Sequence, residues 1–128
     1  MRLVFSILSI LLLSKPSLSQ DNRKLIGTWK LRYSLQADKK KCDLPKDSTI
    51  LVFNEHGTYY WNDYGAITIG RWKILNHKLR FSNIQALNFK AQLSDVSYLI
   101  ELTTKSLVLH RPEGIEIPCI HEYYVKAK

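Results

Sequence analysis

What most constrains the fold of this chain is its rhythm of turns. From Leu25 onward, segments rich in β-branched and aromatic residues recur about every ten residues, each bounded by Asn, Asp, Gly or Pro. No window sustains the roughly 3.6-residue apolar period of an amphipathic helix. The pattern predicts eight strands, near Gly27–Leu35, Ser48–Asn54, Thr58–Asn62, Thr68–Leu75, Lys78–Asn83, Val96–Thr103, Ser106–Arg111 and Cys119–Lys126. The connections at Asn54-Glu55-His56-Gly57, Asn76-His77 and Thr103-Thr104-Lys105 are too short for anything but antiparallel hairpins. Most of the chain is therefore an up-and-down meander. Eight meandering strands close most economically into a single antiparallel barrel, because closure leaves no unpaired edge.

Alternation assigns the faces of these strands. In the first, Trp29, Leu31, Tyr33 and Leu35 alternate with Thr28, Lys30, Arg32 and Ser34, which places the apolar set inside. The same parity puts Trp72 and Ile74, then Tyr98, Ile100 and Leu102, then Leu107 and Leu109 inside, and it selects Leu51 and Phe53 from a segment apolar on both parities. Strand direction sorts the connections. The tight turns share one end with the N-terminus of the domain, a closed floor. The longer loops 37–47, 84–94 and 112–118 gather at the other end, a mouth, together with the short turn 63–65.

The first residues set Arg2 before a mostly apolar stretch from Leu3 to Leu13, followed by Lys15, Pro16 and the small residues Ser17 and Ser19. This is the order of a secretion signal cleaved after Ser19, and the apolar stretch is too short to span a bilayer. Residues 1–19 are read as a cleaved signal peptide and residues 20–128 as one domain, secreted or periplasmic. With the only cysteines at Cys42 and Cys119, none at the cleavage site, no lipid anchor is expected. In an oxidising compartment those two cysteines are expected to pair with each other across the mouth, at a gain of ~4 kcal/mol by loop entropy. Loss of Arg2 and Lys15 with the signal brings the net charge from +8 to +6. The densest basic run, Lys39-Lys40-Lys41, sits in a mouth loop and reads as solvated surface. With no basic helix, zinc-finger spacing or aromatic RNA-binding signature, nucleic acid is not an expected partner.

Leu25-Ile26-Gly27-Thr28-Trp29-Lys30-Leu31 resembles the G-x-W opening of lipocalins and other calycin barrels, and most closely the start of short bacterial lipocalin-like secreted domains. Leu51–Tyr59, Gly70–Ile74 with Lys78-Leu79, and Tyr98–Leu102 with Leu107–Leu109 are similar to later segments of that family in order and spacing, so the resemblance runs over nearly all of residues 25–126. It implies a short N-terminal turn or helix crossing the floor, with Gly27 bending the chain into the first strand and Trp29 plugging the closed end. It also implies a basic side chain packed over Trp29, for which Lys126 and Lys128 are the positional candidates. For function it implies a binding module for a small hydrophobic or amphipathic molecule rather than an enzyme.

The residues available to line such a site are Leu31, Tyr33, Phe53, Tyr59, Trp61, Trp72, Tyr98, Ile100, Leu109 and Tyr123. They are equally a plain core, because an eight-stranded interior is just wide enough either to be filled or to hold one ligand. Parity points Arg111 inward beneath the mouth, where a guanidinium could hold an acidic head group, with a solvent-facing strand end or pairing to Glu101 or Glu113 as the alternatives. His56, His77, His110 and His121 show no metal-ligand spacing, no nucleophile motif or Gly-rich phosphate loop occurs, and no metal, cofactor or catalytic residue is expected. A second functional class stays open: a secreted inhibitor or protein-interaction module with a filled barrel, using the mouth loops and an apolar tip around Ile84, Leu87 and Phe89. Contact of the same mouth with a membrane surface is a third.

Overall fold

The computed structural model describes residues 20–42, 49–112 and 119–128. Residues 1–19, on which the signal assignment rests, and parts of mouth loops 37–47 and 112–118 lie outside them. A one-and-a-half-turn helix, α1 (Gln20–Leu25), leads into β1 (Gly27–Gln36), β2 (Ile50–Phe53), β3 (Thr58–Asp63), β4 (Ala66–Leu75), β5 (Lys78–Ala86), β6 (Ala91–Leu93), β7 (Val96–Leu102), β8 (Ser106–His110) and β9 (Cys119–Lys126). All pairings are antiparallel. The order β4-β3-β2-β1-β9-β8-β7-β5 is closed by β4 against β5, which makes an eight-stranded barrel.

The turns that make this meander carry the chemistry expected of them. Asn76 and His77 both adopt left-handed φ (52° and 62°), the backbone of a two-residue turn whose twist matches its flanking strands. Gly57 supplies φ 84° at the β2–β3 turn. At the β7–β8 turn, Thr103 Oγ1 accepts hydrogen bonds from the amides of Lys105 and Ser106 at 3.2 and 2.9 Å.

Two expectations are corrected. Segment 84–94 is not a loop: β5 continues to Ala86, turns through residues 87–90 and returns as β6, whose pairing of Ile84 with Leu93 keeps the register of Phe81 with Val96 in β7. β6 and β7 are thus one strand interrupted at Ser94-Asp95, and the ribbon they form with β5 rises at the mouth. Ile84 belongs to the core, buried beside Phe81, while Leu87, Phe89 and Leu93 are exposed. The second correction concerns β1. A bulge at Arg32 shifts the register between Leu31, opposite Tyr124, and Tyr33, opposite Tyr123, so every later side chain of β1 changes face. Ser34 points inward and is buried. Tyr33 points outward and stacks on Tyr123 (ring centroids 4.4 Å apart) under the Lys41 ammonium. Neither tyrosine lines the interior.

Below the mouth the barrel is filled. Phe81 sits at its centre with ring centroids 4.5 Å from Tyr59, 5.3 Å from Trp61, 6.0 Å from Tyr98 and 6.2 Å from Phe53, and Phe53 meets Trp72 edge-on at 5.4 Å. Leu51, Leu79, Leu107 and Leu109, all fully buried, close the gaps. At the floor Trp29 is fully buried and its indole Nε1 donates to the Leu25 carbonyl at 2.7 Å. The Lys126 ammonium lies 5.4 Å from the Trp29 ring and donates to the Lys24 carbonyl at 2.9 Å. A Cβ on Gly27 (φ 133°) would stand 2.8 Å from Lys126 Cε, so a side chain there would drive that lysine off its indole.

Candidate functional site

The site worth weighing is the polar group at the top of this apolar column. The Arg111 amide donates to the Ile120 carbonyl at 2.7 Å, which extends the β8–β9 ladder by one residue, and alternation after Leu107 and Leu109 turns its side chain inward. There two of its five N–H donors are engaged by carboxylates. Nε donates to Glu122 Oε1 at 3.0 Å and Nη2 to Asp63 Oδ1 at 2.8 Å, while Cζ lies 4.8 Å from the Trp61 ring centroid and 6.0 Å from that of Tyr98. Glu101 is held by His110 instead, and Glu113 lies outside the described residues. Tyr124 Oη adds a 3.1 Å hydrogen bond to the same Oε1 of Glu122. The cluster ties β3, β8 and β9 together across the barrel.

Its charges do not balance: one guanidinium faces two carboxylates. Glu122 is fully buried, and burial raises its pKa, opposed by Arg111 and reinforced by Asp63. Burial works against the Arg111 charge, but Glu122 and Asp63 outweigh it and hold the guanidinium protonated. The phenols respond to the same field. Tyr64 is pushed up to about 12 by burial and then by Glu122, and Tyr124 is raised well above its ordinary value by the same two causes. Trp61 Nε1 is sealed from solvent without a hydrogen-bond partner among the described residues, while the buried Tyr64 hydroxyl faces Glu122 and Ser34. A buried carboxylate is costly when ionised, and a proton on Glu122 would bring this group to neutrality.

Of the residues singled out by sequence, Trp61, Trp72, Tyr59 and Tyr98 project into the barrel, the first three buried, and Arg111 joins Trp61 and Tyr98 at the top. Trp72 Nε1 is satisfied by the Asn54 carbonyl (3.1 Å) and Tyr59 Oη by Thr68 Oγ1 (3.3 Å), so both act as structure. Asp63 and Glu122 were missed. Alternation within Ile120-His121-Glu122-Tyr123-Tyr124 carried the signal, but an acid on an apolar parity was not read as inward. The disulfide joins Cys42 to Cys119 with Cα atoms 6.1 Å apart, at the mouth end of β9. On the outer face, His110 and His121 oppose each other in register, Nδ1 to Nδ1 at 2.9 Å, and Glu101 holds His110 Nε2 at 2.8 Å. Among the described residues no three or more His, Cys, Asp or Glu side chains are grouped to hold a metal, and no helix is long and apolar enough to cross a membrane.

A closed eight-stranded antiparallel meander, entered through a short helix and a glycine and plugged at its floor by an indole under a lysine, defines a lipocalin-like barrel. No protein-family model matches the chain, and no curated protein matches it. Among solved structures it is similar to a lipocalin-like protein from Bacteroides uniformis, at 17% identity and a TM-score of 0.56, covering 81% of this chain and 99% of that one. It is also similar to an uncharacterized protein from Bacteroides eggerthii, at 17% identity and a TM-score of 0.54, covering 80% of this chain and 99% of that one.

Proposed function

We propose that this chain is an exported binding module without catalytic activity, in which the filled barrel is a scaffold and the mouth rim, led by the β5–β6 ribbon, is the surface that meets a protein partner. The observation that carries this reading is the engagement of Arg111. A small acidic ligand would meet a guanidinium whose charge Asp63 and the buried Glu122 already answer, and the aromatic column beneath leaves its apolar tail to compete with side chains already in contact. On the rim, by contrast, Phe89 is 77% exposed, with Leu87 and Leu93 about half exposed beside it. A cleft of about 360 Å³ between Gln85, Leu87, Lys90 and Gln92 adjoins them. An exposed apolar group at the tip of a paired ribbon suits insertion into a partner's pocket. The disulfide, a bond of oxidising compartments, supports export.

The test has two arms. An environment-sensitive naphthylamine probe should show no saturable site displaced by fatty acids. A photo-crosslinking residue at position 89 should trap one discrete protein in the producing cell, while the same residue at the exposed Tyr60 position should not. A fatty-acid-displaceable site lost in Arg111→Ala would reverse the conclusion in favour of small-ligand carriage.

A further inference from the structure

The basic charge of this protein is not where its densest lysine run suggests. The mouth connections 37–49, 63–65, 87–95 and 111–118 carry six basic and seven acidic residues and so nearly balance. At the closed end, residues 20–26, 54–57, 73–78, 101–105 and 126–128 carry seven basic residues against three acidic ones, Asp21, Glu55 and Glu101, the last of which is held by His110. Four of those cations, Arg23, Lys73, Lys78 and Lys105, are exposed and have no ion-pair partner among the described residues. Lys73 stands directly opposite Arg80 across the β4–β5 pair, a like-charge placement that costs stability by itself. Arg80 is answered by Asp95 at 2.8 Å; Lys73 is not answered. In the middle of this field, Leu75 opposes Lys78 at the β4–β5 turn and is 62% exposed.

We infer that the closed end of the barrel docks on an anionic lipid surface, with Leu75 entering the interface and Arg23, Lys73, Lys78 and Lys105 meeting the acidic head groups. The cations come from α1 and from two separate turns, so a plane can touch them together whereas a linear polyanion follows a single stripe. They are mostly lysines without a convergent pocket, which suits the diffuse field of a charged membrane rather than a discrete anion. An exposed leucine among them has no use against a polysaccharide or a nucleic acid, but it gains from the head-group boundary. Docked this way, the barrel turns its mouth and its ribbon outward.

Co-sedimentation with phosphatidylcholine vesicles, with and without phosphatidylglycerol, tests this. The protein should partition onto the anionic vesicles, be released by salt, and ignore the neutral ones. Lys73→Gln and Lys78→Gln should each weaken partitioning about fivefold, at ~1 kcal/mol per basic residue near the surface. Leu75→Ser should weaken it further at an unchanged melting temperature. Lys39→Gln with Lys40→Gln, at the mouth, should leave it intact. The inference is overturned if anionic vesicles fail to bind the protein, if the mouth variants weaken binding as much as the floor variants, if Leu75→Ser has no effect, or if the floor variants change retention on heparin but not on vesicles.

Discussion

Replacing Arg111 by Met keeps most of the side-chain stem while removing the cation between two carboxylates, and it tests whether the mouth cluster is a structural latch. Arg111 is only 10% exposed and Glu122 1%, so solvent cannot take over for the lost guanidinium. Removing one partner of a buried pair costs ~3–5 kcal/mol, which for a domain of this size is a fall in melting temperature of about 12–20 °C. The pH dependence is sharper evidence than the magnitude. Burial holds the folded-state pKa of Glu122 above its unfolded value, with Arg111 pulling it back down. A raised acid binds its proton more tightly when folded, so stability is greatest below the ordinary carboxylate range and is lost as pH rises through the folded pKa of Glu122. Without Arg111 that pKa rises further, and the loss extends to higher pH. The deficit of Arg111→Met should therefore be smallest in acid and widen towards neutrality, measured by urea unfolding followed through tryptophan fluorescence across a pH series. A deficit that is the same at every pH, or a variant as stable as the wild type near neutrality, would refute the latch.

Two further predictions concern the frame of the barrel. Converting Cys42 and Cys119 to Ala opens a loop of sequence separation 77 and should cost ~4.5 kcal/mol in the chain-entropy model, read as a shift in the urea midpoint; non-reducing peptide mapping that finds two free thiols in exported material would remove the premise. Trp29→Ala should cost ~3–5 kcal/mol because it empties the floor and strands the Leu25 carbonyl, and calorimetry showing an unchanged melting temperature would mean the indole is not a plug.

How far the sequence discloses this molecule follows from which interactions are local. Hairpins are short-range objects, so Asn76-His77 and the Asn54–Gly57 turn announce themselves, and period-2 alternation then places Trp72, Ile100, Leu107 and Leu109 without any knowledge of their neighbours. The bulge at Arg32 is not local in that sense. It exists because β1 must match β9 over seven paired positions with two breaks in register, and nothing within β1 says where the extra residue at Arg32 falls. Tyr33 was assigned to the wrong face for that reason, and Tyr123, its cross-strand partner, with it. The ribbon was missed because Ala91-Gln92-Leu93 has no β-branched residue and no buried face; it is a strand through pairing with β5 alone. Asp63 and Glu122 stand 59 residues apart in sequence and meet only through Arg111, so no pattern within a single strand could disclose the cluster that decides how the mouth is read.

That cluster also explains why a barrel of this kind would move its recognition outside. An interior that spends its one inward guanidinium on two of the chain's own acids, and its aromatic faces on one another, gains cohesion between β3, β8 and β9 and gives up the groups that would orient a ligand. The same closure fixes the floor turns, and pairing with β5 sets the ribbon above the mouth. Tight turns at the floor hold Leu75 and its lysines in set positions, and the β5–β6 ribbon holds Phe89 clear of the rim. Exposed apolar groups held this way lose little conformational freedom when covered, so each offers affinity at small entropic cost. If the two proposed surfaces bind as argued, selection for a tightly packed interior and selection for external binding act on different residues, and either surface can change without unsettling the column around Phe81.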